Sequence, residues 1–332
     1  MKAAYINRYG NINDVLLDEQ PKPVLTKNEV LIKVHAASIN PLDLRVLKGE
    51  FKTILPVKFP FILGNDFAGI VVEIGSSVTQ FKVGDDVYAK TDLNGAFAEF
   101  TVVQQSSLAL KPDNISMELA ASLPLVSLTA WQALVEIANV QVGQKVLIHA
   151  GSGGVGSIAI QLAKHLGATV ATTTSSKNIA WVKALGADIV IDYKTTDFEQ
   201  EIKDYDVVLD TQGGKFLEKS LNVLQRRGRI VSISGPPDQA FAEAIKANWL
   251  LKCIISLLSW SIRHKAKKAG ISYSFLFMKP NGQQLSEISH LVETGKINPV
   301  VDSVYGFSQI KEALEYVNTG RAKGKVILKV KE

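Results

Sequence analysis

The chain has 332 residues, 46% of them hydrophobic and 21% charged; this globular composition excludes wholesale disorder and leaves room for about two domains. Lysine and arginine number 37 against 32 acids, a net charge of +5, but the basic residues are scattered and their densest run, Arg263 to Lys268, is short, so a nucleic-acid partner is not expected. The single cysteine, Cys253, excludes an intramolecular disulfide and a cysteine-cluster metal site, and it fits a reducing, cytoplasmic compartment.

The N-terminus (MKAAYINRYG) has no apolar core of the kind a signal peptide carries. Residues 1 to about 110 read as short strands between Gly, Pro and Asn turns: Val30–Ala36, Ala68–Gly75, Val83–Tyr88 and Ala96–Val103. This grammar predicts an all-β, barrel-like domain. It changes near Pro124. From there apolar strands alternate with helical segments: strands at Val146–Ala150, Thr169–Thr174, Asp188–Tyr193, Tyr205–Asp210 and Gly228–Ser234, and helices at Gly154–Leu166, Lys177–Leu185 and Phe216–Leu224. Strands that are apolar on both faces and spaced by helices predict a parallel sheet covered on both sides. The most apolar stretch, Trp249–Ile262, is too short to span a membrane, so stable membrane insertion is not expected. It is read as a buried or interface helix, with a membrane-lying helix as the alternative. Ile271–Met278 predicts a sixth strand, Pro280 starts a helix, and Lys325–Val330 ends the chain in a strand. That return to β character predicts that the second domain is inserted into the first.

The strand ending at Ala150 runs into Gly151-Ser152-Gly153-Gly154-Val155-Gly156 and then into a helix. This is G-x-G-x-x-G in the strand-to-helix context that binds a dinucleotide. Gly151 permits the tight turn, Gly153 lets a pyrophosphate approach the backbone, and Gly156 lets the helix pack close to the strand. The helix N-terminus presents free N–H groups and partial positive charge to the anion. About twenty residues on, where an NAD enzyme places an acid against the ribose hydroxyl, the chain offers Thr172-Thr173-Thr174-Ser175-Ser176-Lys177. Hydroxyls at Ser175 and Ser176 with the Lys177 ammonium would accept a 2′-phosphate, so NADPH is expected over NADH. The plainer reading makes Lys177 a solvated residue in a helix's first turn.

Zinc needs three or four ligands drawn from Cys, His and carboxylates. The five histidines (His35, His149, His165, His264 and His290) are far apart, and no H-x-x-x-H spacing occurs, so no metal site is expected. His149, in the strand before the glycines, is read as a core residue with satisfied nitrogens. Without a metal to polarise an alcohol, the fitting chemistry is hydride addition to an activated double bond.

These residues resemble the zinc-independent quinone oxidoreductase and enone (alkenal) reductase branch of the medium-chain dehydrogenase/reductase superfamily. The resemblance rests on Ala36–Asp43, Gly64–Val71, Val83–Tyr88, Leu128–Trp131, Ala150–Lys164 and Gly320–Val326, and covers nearly the whole chain. It implies an α/β fold in which a Rossmann doubly wound parallel sheet, residues 125–278, is inserted into a GroES-like β-barrel domain, residues 1–124 and 279–332. It also implies a cleft between the domains and a homodimer joined through Ile271–Met278. By position, Asn40 lines the cleft near nicotinamide and substrate, and Thr129 packs against the nicotinamide side. Lys177, Tyr193 and Arg321 match positions that hold the 2′-phosphate. The activity implied is NADPH-dependent reduction of quinones or α,β-unsaturated carbonyls, with a non-catalytic NADPH-binding redox sensor or structural protein as the alternative.

Two departures stand out. Many relatives carry tyrosine where this chain has Phe51, so a phenolic donor to the substrate is missing and Phe51 is either a site residue or only wall. Zinc-containing cousins carry Cys near Asn40 and His near Asn65, and this chain has neither. Asn40-Pro41 is either a simple turn or a site residue. Asp43 and Asp66 are read as structural acids that cap backbone or pair with Arg45. Tyr273, Phe275 and Phe277 alternate as a strand face, which would also serve as the wall of an apolar pocket.

Overall fold

A computed structural model describes residues 1–54, 56–92 and 95–331; Leu55, Leu93, Asn94 and Glu332, which belong to the predicted barrel domain, lie outside the described residues. The contacts divide the chain into two compact units, Met1–Leu128 with Pro280–Glu332, and Thr129–Lys279.

The first unit opens with eight strands: β1 (Lys2–Ile6), β2 (Leu16–Glu19), β3 (Glu29–Ile39), β4 (Phe61–Ile62), β5 (Asp66–Ile74), β6 (Asp86–Lys90), β7 (Phe100–Gln104) and β8 (Leu108–Leu110). The second unit holds β9 (Lys145–Ile148), β10 (Thr169–Thr174), β11 (Ile189–Asp192), β12 (Tyr205–Asp210), β13 (Leu224–Ser232) and β14 (Ser272–Phe275). The chain then returns to the first unit with β15 (Val301–Gly306) and β16 (Lys325–Lys329).

In the first unit β2-β1-β4 make a small antiparallel sheet, and β15-β16-β3-β5-β6-β8, with β7 also on β3, make a seven-stranded one. Strand β3 is the spine. Its N-terminal half pairs with β7 and its C-terminal half with β16, while β5 runs along its other side. Ser38 stands opposite Asp66, and Val326 opposite Ile39, so the start of β16 arrives beside Asn40. A buried tyrosine ties the returning chain down: the Tyr88 hydroxyl donates to the Leu285 carbonyl at 2.7 Å, and Ser289 Oγ is 3.0 Å away.

In the second unit six strands lie parallel in the order β11-β10-β9-β12-β13-β14. Val146, Leu147 and Ile148 of β9 are fully buried, as a strand covered on both faces requires. The order reverses at β9, with β10 on one side and β12 on the other, which opens a crevice at the carboxyl ends of the strands. Phe198, Ile202, Leu217, Leu221, Ile262 and Ala266 pack one core against Leu147, Ala171, Val208 and Ile230.

The boundaries shift from expectation where packing decides them. The last strand ends at Phe275 because its partner β13 ends at Ser232. The helix predicted over Phe216–Leu224 runs Gly214–Ser220, and Leu224 already belongs to β13. The Trp249–Ile262 stretch is two helices, Trp249–Leu258 and Trp260–Lys268, that meet at Ser259. It is also not a buried helix: of its apolar side chains only Ile255 and Ile262 are in the core.

Candidate active site

The turn after β9 is built differently from the expectation. Its left-handed residue is Ala150, at φ +52°, rather than Gly151. Gly151 answers crowding instead: a Cβ there would lie 2.2 Å from Thr172 Oγ1, whose hydroxyl donates to the Ile148 carbonyl at 2.6 Å. At Gly156 a Cβ would lie 2.3 Å from the Ala150 carbonyl oxygen, so this glycine sets the close approach of the helix Gly154–His165 to the turn. Gly153 is different. A Cβ there would meet only the Ala150 oxygen, at 3.3 Å, so the protein itself leaves that face open.

Gly153 is also the N-cap of the helix and has no side chain with which to cap the first turn. The first-turn N–H groups therefore point at the crevice with the positive end of the helix dipole behind them. Gly154 and Val155 form that turn, half-buried, and Ser152 Oγ accepts from Thr174 Oγ1 at 2.9 Å. The chain's own atoms fit a pyrophosphate here.

The ends of β10 and β11 lie side by side, Thr174 opposite Asp192. This register gathers Ser175, Ser176 and Lys177 with Tyr193, whose N–H donates to the Thr174 carbonyl at 3.1 Å. Ser175 is buried, and Ser176, Lys177 and Tyr193 are exposed. The same register brings in Asp192, which sequence reasoning missed. Its carboxylate accepts from the Ser176 hydroxyl and from the Lys194 N–H at 3.0 Å, and these bonds hold its pKa below the usual carboxylate value. An acid thus stands beside these residues, brought there by the next strand and not by β10. Its sequence signal was its place just before Tyr193.

The crevice side of β12 is held by Asp210, which accepts from the N–H groups of Gln212 at 3.0 Å and Gly213 at 2.9 Å and from the Ser232 hydroxyl at 2.6 Å. His149 is the core residue expected: Nδ1 lies 3.2 Å from Thr173 Oγ1 and Nε2 2.8 Å from Ser220 Oγ. Burial pushes its pKa down to about 4, so it is neutral and structural at neutral pH. Thr129 is buried in the last turn of the helix Pro124–Trp131. Tyr273 and Phe275 sit in β14, and Phe277 follows it; the Tyr273 hydroxyl donates to the Pro236 carbonyl at 2.5 Å, and Phe275 and Phe277 both pack edge-on against Phe241.

In the first unit Asn40 is only 1% exposed and sits in a closed polar cluster. Its Nδ2 donates to Asp66 Oδ2 at 2.9 Å, and its Oδ1 accepts from the Lys325 ammonium. Lys325 also pairs with Asp66 Oδ2 at 3.2 Å, and Ser38 Oγ donates to the same oxygen at 3.1 Å. The other Asp66 oxygen accepts from the Leu125 N–H at 3.0 Å. Asp43 accepts from the Asn40 N–H at 2.7 Å and from Asn65 Nδ2 at 2.7 Å. Burial raises the Asp43 pKa to about 6. Asp43 and Asp66 are structural acids, as read, but Arg45 is not their partner: it pairs with Glu50 at 2.6 Å and lies over the Phe51 ring, 4.6 Å from its centre. Lys325 went unremarked in the sequence, where its signal was a lysine directly before three apolar residues, Val326 to Leu328. Arg321 is exposed between the helix Ile310–Asn318 and β16, its N–H on Thr319 Oγ1 at 3.3 Å.

Among the described residues no group of three or more His, Cys, Asp or Glu is disposed to hold a metal ion. The amide nitrogens of Asn40 and Asn65 are donors turned onto carboxylates, and an ammonium compensates Asp66. That is the donor set of a hydrogen-bonded cluster rather than of a cation site.

Two family models match the chain: the alcohol dehydrogenase GroES-like domain over residues 26–113 and the zinc-binding dehydrogenase family over residues 185–328. The mitochondrial NAD(P)H oxidoreductase RTN4IP1 of Danio rerio is 34% identical, over 100% of this chain and 92% of that relative. The chloroplastic NADPH-dependent alkenal/one oxidoreductase of Arabidopsis thaliana is 35% identical, over 99% of this chain and 79% of that relative. Among solved structures, the quinone oxidoreductase from Coxiella burnetii superposes with a TM-score of 0.88 at 34% identity, covering 100% of this chain and 99% of that one.

Proposed function

The chain belongs to the quinone oxidoreductase and alkenal reductase branch of the medium-chain dehydrogenase/reductase superfamily, and from that premise we propose that it is an NADPH-dependent reductase of quinones or α,β-unsaturated carbonyls. The observation that carries the reading is the pairing of an open Gly153 face with the serines, Lys177 and Tyr193 gathered at the ends of β10 and β11. NADPH, when bound, supplies a hydride to the electron-poor carbon of the substrate. Gly153 and the first turn of the helix Gly154–His165 hold the pyrophosphate. Ser175, Ser176, Lys177 and Tyr193 hold the 2′-phosphate, and Asp192 limits how strongly they do so. Thr129 packs against the nicotinamide side.

Asn40 acts in this reading through its cluster. With both ends of its amide committed, it fixes the chain entering the helix Pro41–Leu47 rather than exchanging a proton. Phe51 contributes apolar wall, and the proton that completes the reduction comes from water. No metal takes part: Lys325 already supplies the positive charge that Asp66 requires. The reading includes a homodimer, supported by β14, which ends the six-stranded sheet with its outer edge unpaired among the described residues. It also includes a reducing cytoplasmic setting, supported by the free, exposed Cys253.

The test follows loss of NADPH absorbance with a panel of enones, alkenals, quinones and simple alcohols. The expected result is oxidation of NADPH by the first three classes and none by alcohols, unchanged by a chelator. NADPH binding without turnover on the whole panel would favour the non-catalytic, cofactor-sensing alternative. Arg321→Ala, scored on NADPH against NADH affinity, decides whether that arginine serves the phosphate.

A further inference from the structure

The two helices Trp249–Leu258 and Trp260–Lys268 carry a surface that no feature of reductase chemistry requires. In the first helix the exposed positions are Trp249, Leu250, Lys252, Cys253, Ile254, Leu257 and Leu258. All but Lys252 follow the i, i+1, i+4, i+5, i+8, i+9 spacing of one helix face, so they form a continuous apolar stripe. Trp249 and Leu257 are each 76% exposed, and Trp260 extends the stripe into the second helix at 59%. The opposite face is the one anchored in the protein, through Ile255, Ile262 and Ala266.

The sequence that carries this stripe is short of acids. Between Glu243 and Glu287 there is no acidic residue, while Lys246, Lys252, Arg263, Lys265, Lys267, Lys268 and Lys279 are all basic. These seven charges exceed the net +5 of the whole chain, so the remainder is slightly acidic. The stretch is basic because it lacks acids: 30 of the 37 lysines and arginines lie outside it, scattered as the composition suggested. Lys252, Lys267 and Lys268 are exposed, with no ion pair among the described residues, and the Trp260 ring stacks on His264; Lys265 is turned to Glu218, 3.1 Å away.

We propose that this face docks the protein on the surface of an anionic lipid membrane, the apolar stripe entering the headgroup boundary and the lysines meeting lipid phosphates and carboxylates. Apolar residues on one helix face, tryptophans at the ends and flanking lysines are what an interfacial helix needs, because the stripe buries area while the charges stay at headgroup level. No described helix is long and apolar enough to cross a membrane, so the attachment is peripheral. A second copy of the chain fits less well, since self-association through this face brings together two sets of lysines, Lys252, Lys267 and Lys268, that have no ion pair among the described residues.

The experiment is flotation of the full chain with vesicles of phosphatidylcholine alone and of phosphatidylcholine with phosphatidylserine, at about 0.1 M salt. The native Cys253 thiol, carrying an environment-sensitive fluorophore, gives a second readout. The proposal expects flotation with the anionic vesicles, at least tenfold weaker binding to the neutral ones, and a blue shift of the probe. Each surface lysine contributes about fivefold to such binding, so Lys267→Glu with Lys268→Glu should weaken it at least tenfold. Leu257→Asp, at an exposed site, should abolish the blue shift and flotation while leaving Tm unchanged; Trp249→Ala is the second variant should the first lose its fold. Absence of flotation overturns the proposal. So does flotation that survives Leu257→Asp, which would be charge adsorption alone, and so does a sedimentation dimer that Leu257→Asp dissociates, which would make a second copy the occupant. None of these readouts uses turnover, so failure here leaves the reductase reading untouched.

Discussion

Lys325 stands 285 residues after Asn40, yet its ammonium donates to the Asn40 side-chain oxygen and, at 3.2 Å, to Asp66. Both side chains of the Lys325–Asp66 pair are almost fully buried. Removing one member of such a pair strands the other charge away from water.

Lys325→Met should therefore cost about 3–5 kcal/mol of unfolding free energy, read from urea denaturation. Adding Asp66→Asn to it should restore part of the loss, because the stranded carboxylate is gone. Strict additivity of the two single effects would show that the pair is not coupled.

Two buried groups give stability opposite pH dependences. Asp43 has a native pKa of about 6 against 3.8 for an ordinary aspartate, so its contribution is full below pH 3.8 and is lost as pH rises through 6. His149, at about 4 against 6.5, contributes fully above pH 6.5 and loses its contribution as pH falls through 4. Each is worth on the order of 3 kcal/mol, so the two largely cancel between pH 4 and 6. His149→Gln should unmask stability that falls as pH rises across this window, and Asp43→Asn stability that falls as pH drops. Urea midpoints at half-unit intervals check both; two flat profiles would contradict the assignment.

Asp192 sits among the residues assigned to the 2′-phosphate and binds the Ser176 hydroxyl. Replacing it with asparagine removes a repelling charge, and NADPH affinity should rise about threefold to tenfold with NADH affinity unchanged or lower. Lys177→Ala should move the NADPH to NADH ratio the other way by a similar factor. Fluorescence titration of both cofactors measures it; an unchanged ratio in both variants would remove these residues from the phosphate site.

The glycines of the turn separate into two kinds. Gly156→Ala drives a methyl against the Ala150 carbonyl and should destabilise the second unit by about 2 kcal/mol or more, whether or not cofactor is present. Gly153→Ala meets little protein and should leave Tm within a degree or two while weakening NADPH at least tenfold. Thermal melts with and without NADPH separate the two; a Gly153→Ala variant that binds normally would mean its open face does not serve a ligand.

Periodicity alone carried much of the fold. Runs such as Val146–Ile148 and Val207–Leu209 are apolar at every position because both faces of a parallel sheet are covered, and that pattern is local. The strand-to-helix glycine run was legible for the same reason, since it is a few consecutive residues. The burial of the Trp249 helix was misread because hydropathy records what a face is made of and not whether anything covers it. The role of Gly151 was misread because the crowding atom, Thr172 Oγ1, arrives from the next strand.

The amino-acid order by itself determined which segments become strands and helices, and that a glycine-rich turn joins β9 to the helix Gly154–His165. Tertiary structure alone decided that Lys325 serves Asn40 and Asp66, that Asp192 stands beside Ser176, and that Arg45 turns to Glu50 and Phe51. The difference is physical: backbone preference and hydrophobic periodicity act over a few residues, whereas a buried charge finds its partner through strand register, which brings together atoms that are hundreds of residues apart.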